Sequence, residues 1–126
     1  MIIVIVILGI LAVVAMPKYA DMQTEAKEAA ADGVFGACQA AAAVNFAAGL
    51  AGATQPAGAV ITTGTLLMGA LDGTPEGWTV DDTGAAGAVG ICTGTGASCV
   101  VGTADYSITI STFETSTAKA VLSKSW

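Results

Sequence analysis

From Ile2 to Met16 the chain carries no polar side chain; Ile, Val, Leu, Ala and Met fill every position except Gly9. Such a run has neither the polar period of a surface helix nor the alternation of a half-buried strand. It predicts a helix that is apolar all round. A domain of 126 residues rarely encloses such a helix, which points to lipid or to the centre of a bundle. As a helix the first 16 residues span roughly 24 Å, a few residues short of the about 20 that a bilayer core takes. Nine of the first 14 residues are β-branched, weak helix formers in water, so packing or lipid must hold the segment. Gly9 and Pro17 are its weak points. Gly costs about 1 kcal/mol relative to Ala, and Pro removes a backbone donor and kinks a helix. A secretory signal also has a short apolar core, but Met16-Pro17-Lys18-Tyr19 is a poor small-residue cleavage site.

Polar residues enter at Lys18, and from Ala20 to Ala51 the pattern is helical and Ala-rich. Tyr19, Met22, Ala26, Ala30, Gly33, Ala37, Ala41, Val44 and Ala48 recur at spacings of three and four, predicting a face that other backbones can approach closely. Asp21, Glu25, Glu28 and Asp32 fall at i, i+4, i+7 and i+11, so like charges share another face, offset only in part by Lys18 and Lys27. That stripe reads as a solvated face, or as a surface to which a neighbouring copy brings Lys119 or Lys124. Beyond Leu50 the chain turns to Gly, Thr and Pro, which predicts a connecting loop with a short strand at 60–63 and a tight turn at Asp72-Gly73. Residues 77–81, 88–92, 99–103, 106–111 and 117–123 read as strands; Tyr106-Ser107-Ile108-Thr109-Ile110-Ser111 alternates most strictly. One long helix followed by short antiparallel strands is an α+β pattern. It divides into an apolar half-helix 1–19, an amphipathic half-helix 20–51, a connecting loop 52–76 and a sheet region 77–126.

Composition narrows the chemistry. The chain is 54% hydrophobic and only 11% charged, with a mean hydropathy of +0.73. A disordered acidic tail would be poor in apolar residues, and an ordinary soluble domain would carry about a quarter charged residues. A net charge of -6, with no Arg, gives no clustered cations for phosphate, so nucleic-acid binding is not expected. The absence of His removes the usual general base, and three scattered Cys leave no zinc framework. No catalytic, cofactor-binding or metal-ligating set is expected, and no enzyme. Asp72, Glu76, Asp81 and Asp82 surround Trp78, but loosely spaced carboxylates fall short of a calcium cage and read as charges that keep the surface soluble. The glycines at 84–87 and 94–96 lack the Lys-Ser/Thr of a phosphate loop. Six residues separate Cys92 from Cys99, a loop that can fold back and let the sulfurs meet, as suits an exported domain. Cys38 is then a buried free thiol; its pairing with either of the others is the alternative.

The stretch Ile2-Ile3-Val4-Ile5-Val6-Ile7-Leu8-Gly9-Ile10-Leu11-Ala12-Val13-Val14-Ala15-Met16-Pro17-Lys18-Tyr19 closely resembles the N-terminal helix of type IV pilins and type II secretion pseudopilins. The resemblance covers about the first 35 residues: an Ile/Val run, a Gly, an Ala-rich turn, a Pro eight residues after the Gly, then an aromatic. Gln23-Thr24-Glu25-Ala26-Lys27 and Gly33-Val34 look like the mannose-sensitive haemagglutinin branch of major pilins. Beyond Phe46 the resemblance fades. The chain departs from the pattern at its start, where pilins carry a basic leader, a Gly cleavage site and Phe-Thr-Leu-Ile-Glu. The family glutamate would stand just before Met1, and the expectation is that residues precede Met1 in the natural protein.

The resemblance implies a pilin fold, with a C-terminal sheet packed on the second half of the helix and a C-terminal disulfide loop. It implies a structural subunit that waits in the inner membrane of a Gram-negative bacterium and polymerises into an extracellular filament through the helix Ile2–Met16. It also implies partners: further copies of the chain, an assembly ATPase, a platform protein, a prepilin peptidase and an outer-membrane secretin. Adhesion, motility and DNA uptake are roles of such filaments. In filaments of this family the stretch matching Gly9 to Pro17 is often extended rather than helical; the helix with a mild kink is the alternative. A type II secretion pseudopilin and a monomeric membrane-anchored binding module are the competing functions. Tyr19, Phe35 and Phe46 read as packing residues ahead of any role between subunits.

Overall fold

A long helix comes first and a small antiparallel sheet follows, an α+β architecture. The computed structural model describes residues 1–84, 87–94 and 99–126, and of Pro17 and Ala20 only the backbone. The glycine stretches at 84–87 and 94–96 and the turn between Cys92 and Cys99 therefore lie partly outside the described residues. Helix α1 covers Ile2–Leu50, and its helical assignment runs through Gly9 and Pro17. A short helix α2 covers Gly64–Ala70. Four strands follow: β1 Trp78–Asp81, β2 Gly90–Thr93, β3 Ser107–Thr112 and β4 Val121–Lys124. They form one sheet in the order β1-β2-β3-β4 with every neighbouring pair antiparallel.

The chain forms two compact units, Met1–Asp32 and Gly33–Trp126. The first is helix alone. The second contains the hydrophobic core: Cys38 and Ala42 of α1, Ile61, Leu67 and Met68 around α2, and Val89, Ile91, Ile108, Ile110 and Leu122 from the sheet side. Period two places Ile108 and Ile110 on one face of β3, where Ile108 pairs with Ile91 and Ile110 with Leu122. The packed stripe of α1 in this unit is Val34, Phe35, Cys38, Ala42 and Asn45. Of the small-residue face in this unit, Ala41 and Ala48 are half-buried, while Gly33, Ala37 and Val44 stand in solvent. With Ala on nearly every side of the helix, the few larger residues decide which face packs.

Helix α1 stops in a Schellman motif. Gly52 takes φ +67°, its N–H donates to Gly49 O (3.1 Å), and the Ala53 N–H donates to Ala48 O (2.9 Å). Helix α2 stands within the expected connecting loop 52–76, and residues 60–63, expected as a short strand, form none. The Thr63 hydroxyl caps it, accepting from the Leu66 N–H at 3.2 Å. The carboxylate of Asp82 adds a second cap from the far end of β1: Oδ1 accepts from the Gly64 N–H, and Oδ2 from the Thr65 N–H and hydroxyl. Gly64 and Gly90 permit this nesting. A Cβ on Gly64 would collide with the Gly90 carbonyl, and one on Gly90 with the Ile108 carbonyl. The strand expected at 99–103 is a turn, because the Val101 N–H donates to the Asp81 carboxylate (3.0 Å) instead of to a ladder.

Candidate functional site

The largest uncovered feature lies in the first unit. From Ile2 to Val14 every Ile, Val and Leu is between 52% and 79% exposed, so none of them faces an interior. By length and composition α1 qualifies as a helix able to cross a membrane. Full burial of one such side chain is worth about 1.5–3 kcal/mol, so covering the part of this run that is exposed releases about 10–20 kcal/mol. That is comparable to the whole stability of a typical domain, about 5–15 kcal/mol. Left in water, such a run is costly.

Immediately after the run, Asp21, Glu25, Glu28 and Asp32 are all exposed on α1. Lys18 stands at the border, beside Leu11, Val14, Tyr19 and Met22 and also beside Asp21 and Glu25. The other cations considered for the acidic stripe sit in the second unit. Lys119 is exposed beyond the turn closed by the Thr115 N–H on Ala118 O (2.8 Å). Lys124 is engaged in its own chain, its Nζ lying 5.2 Å from the ring of Trp126 and 6.0 Å from that of Phe35. Trp126 is the hub of an aromatic cluster, edge-on to Tyr106 (5.5 Å), Trp78 (6.3 Å) and Phe35 (6.4 Å). This cluster clasps α1, β1 and the chain flanking β3 and β4. Sequence spacing gave no hint of it, since its members are scattered over residues 35–126.

A buried polar node was also missed by sequence reasoning. Asn45 is 0% exposed and Glu114 3%. The Asn45 Nδ2 donates to both carboxylate oxygens of Glu114 (3.2 and 3.1 Å) and to Ala59 O (3.1 Å), while its Oδ1 accepts from the Ala57 N–H (2.9 Å). The Gln55 Nε2 donates to Glu114 Oε1 and the Ile61 N–H to Oε2, each at 3.1 Å. The Glu114 N–H returns a bond to Ile61 O at 2.9 Å. This node ties α1 to the segment after it and to the end of β3. A cleft of about 250 Å³ opens beside it, lined by Phe46, Leu50 and Val60 together with Gln55, Glu114 and Ser116.

Of the four acidic residues around Trp78, Asp72 and Glu76 are exposed, while Asp81 and Asp82 have structural work. Asp82 caps α2 as described. Asp81 accepts from the Thr83 hydroxyl (2.6 Å), the Thr83 N–H and the Val101 N–H. The Thr83 hydroxyl above all, and then the Val101 N–H, hold its carboxyl below the usual carboxylate range. Cys92 and Cys99 are joined as a disulfide, their Cα atoms 5.5 Å apart. Cys38 is free and buried, and burial pushes its thiol up to about 12. A thiol held so far from its thiolate is a poor nucleophile and ligand.

The arrangement can cover apolar surface and make charge contacts. A long apolar helix, a small antiparallel sheet and a disulfide are together compatible with a pilin fold. Compared with protein-family models, curated proteins and solved structures, the chain gives no match.

Proposed function

We propose that this chain is a structural subunit of a type IV pilus, a major pilin that polymerises through its N-terminal helix into an extracellular filament. The observation that carries the reading is the uncovered apolar run Ile2–Met16 at the head of α1. Lipid covers such a helix before assembly, and the same helix from other copies covers it afterwards. Because both surroundings bury the same side chains, the transfer is nearly neutral in hydrophobic energy, and packing and charge contacts set its direction. The inner membrane, the assembly ATPase, the platform protein, the prepilin peptidase and the secretin are the partners this reading brings. The disulfide between Cys92 and Cys99 supports an exported domain, and a pilus over a pseudopilus.

A charge in the run tests this. Ile7→Asp places a carboxylate where burial costs about 2.5–3.5 kcal/mol in a membrane helix. Cells are sheared and the chain is measured in the sheared surface fraction and in the membrane fraction. The parent chain is expected in both, and Ile7→Asp is expected to fall at least tenfold in the sheared fraction. Parental amounts of the variant in that fraction would refute the role given to the run.

A further inference from the structure

The face of the sheet turned away from the core carries a strap. Cys92 of β2 lies between its register partners Thr79 of β1 and Ser107 of β3. Period two sets Asp81 on the same face as Thr79, opposite Gly90. The chain returning from Cys99 reaches across all three strands. Its Val101 N–H donates to Asp81 Oδ2 (3.0 Å) on β1, and its Gly102 N–H to Ser107 Oγ (3.4 Å) on β3. The turn closes on itself, the Thr103 and Ala104 N–H groups donating to Val100 O (3.0 and 3.1 Å). None of these bonds uses a sulfur atom.

Two features hold the strap apart from the disulfide. Asp81 is 6% exposed, and its Oδ1 accepts from the Thr83 hydroxyl (2.6 Å) and N–H (3.2 Å), so a residue outside the cysteine loop aims the carboxylate at Val101. Such charge-assisted bonds are roughly twice as strong as neutral ones. The Cys99 Sγ lies 3.3 Å from Thr79 O, so a Cys99 thiol has an acceptor on the very residue that pairs with Cys92. We propose that Asp81 is a positioning residue for the disulfide: it holds the strap across the sheet before the bond exists and parks Cys99 beside Cys92. A small disulfide oxidant, glutathione disulfide, then exchanges with one protein thiol and releases one glutathione thiol. The second protein thiolate attacks the protein sulfur of that mixed bond, the Cys92–Cys99 bond forms, and the second glutathione leaves. Two protein thiols are oxidised, one glutathione disulfide is reduced, and the two protein protons end on the two glutathione thiols. Holding both sulfurs in place lifts their effective concentration above that of a short flexible loop.

The full chain in detergent is equilibrated with glutathione redox buffers at one pH, quenched with maleimide in denaturant and weighed. The oxidised form carries one label, on Cys38, and the reduced form carries three. Asp81→Asn leaves one acceptor oxygen where two are in use, and is expected to lower the effective concentration of the thiol pair about tenfold. Thr83→Val, which releases the other oxygen of the carboxylate, is expected to lower it about threefold. Glu114→Gln, which disturbs the node on α1 instead, is expected to leave it unmoved. In the reduced parent chain the Val101 amide is expected to stay protected from hydrogen exchange. Should Asp81→Asn fail to fold, Thr83→Val and the Val101 amide decide. An effective concentration unmoved by the Asp81 and Thr83 variants, an equal fall in Glu114→Gln, or a Val101 amide that exchanges freely once the disulfide is reduced overturns the inference and leaves the pilus reading untouched.

Discussion

Replacing Asn45 by Ala tests whether the buried node holds the second unit together. Asn45 is fully buried, so no water takes the place of the lost amide without rearrangement. The substitution strips a donor from both oxygens of Glu114, a donor from Ala59 O, and the acceptor of the Ala57 N–H. A hydrogen bond to a charged group is worth about 1.5–3 kcal/mol, and a buried group left without its partner costs about 1–3 kcal/mol. Part of each loss is recovered by relaxation around Gln55, which gives an expected destabilisation of about 3–5 kcal/mol for Asn45→Ala. Glu114→Gln, which keeps the shape and removes the charge, is expected to cost less. The assay is denaturant unfolding of the full chain in detergent, followed by tryptophan fluorescence. Trp78 and Trp126 both report on the second unit, through the aromatic cluster. A change below about 1 kcal/mol for Asn45→Ala would refute the central place given to the node.

Two further predictions concern the same unit. The folded Asp81 carboxyl lies below its unfolded value, so its contribution is fully present above the ordinary carboxylate pKa and is lost as pH falls through the lowered one. Acid unfolding curves are therefore expected to flatten on this side in Asp81→Asn, and an unchanged pH dependence would contradict the assignment. The thiols form the other test. Maleimide at pH 8 is expected to leave native Cys38 unlabelled and to label one site per chain in denaturant, while replacing Cys92 and Cys99 by Ser costs about 2.5 kcal/mol on the chain-entropy scale for so short a loop. Rapid native labelling, or an unfolding midpoint unmoved by the double substitution, would count against these placements.

What the sequence made legible follows from which interactions are local. The run from Ile2 to Met16 needs no partner to be recognised, because nothing polar interrupts it. The strand around Ile108 and Ile110 shows itself by alternation, and the α+β order follows from one long helical stretch ahead of short strands. Helix α2 was hidden because Thr62-Thr63-Gly64-Thr65 reads as loop. Half of its cap is Asp82, which lies 17 residues beyond Thr65 and is brought back by β1. Glu114 was hidden for the same reason. In Phe113-Glu114-Thr115-Ser116 it looks like a surface acid, and its partners Asn45 and Gln55 lie 69 and 59 residues away. Which face of α1 packs within its own chain is not legible in the sequence because Ala satisfies every face, and only Phe35, Cys38 and Asn45, through what they meet, fix it.

The central claim is that copies of this chain assemble through the apolar run at the head of α1. Electron cryomicroscopy of filaments sheared from cells expressing the chain, with mass spectrometry of their subunit, tests it most directly. The account predicts thin helical filaments built of this chain, with the segments Ile2–Met16 of many copies packed along the axis. Cells without such filaments, in which the chain stays in the membrane as a monomer, would contradict it.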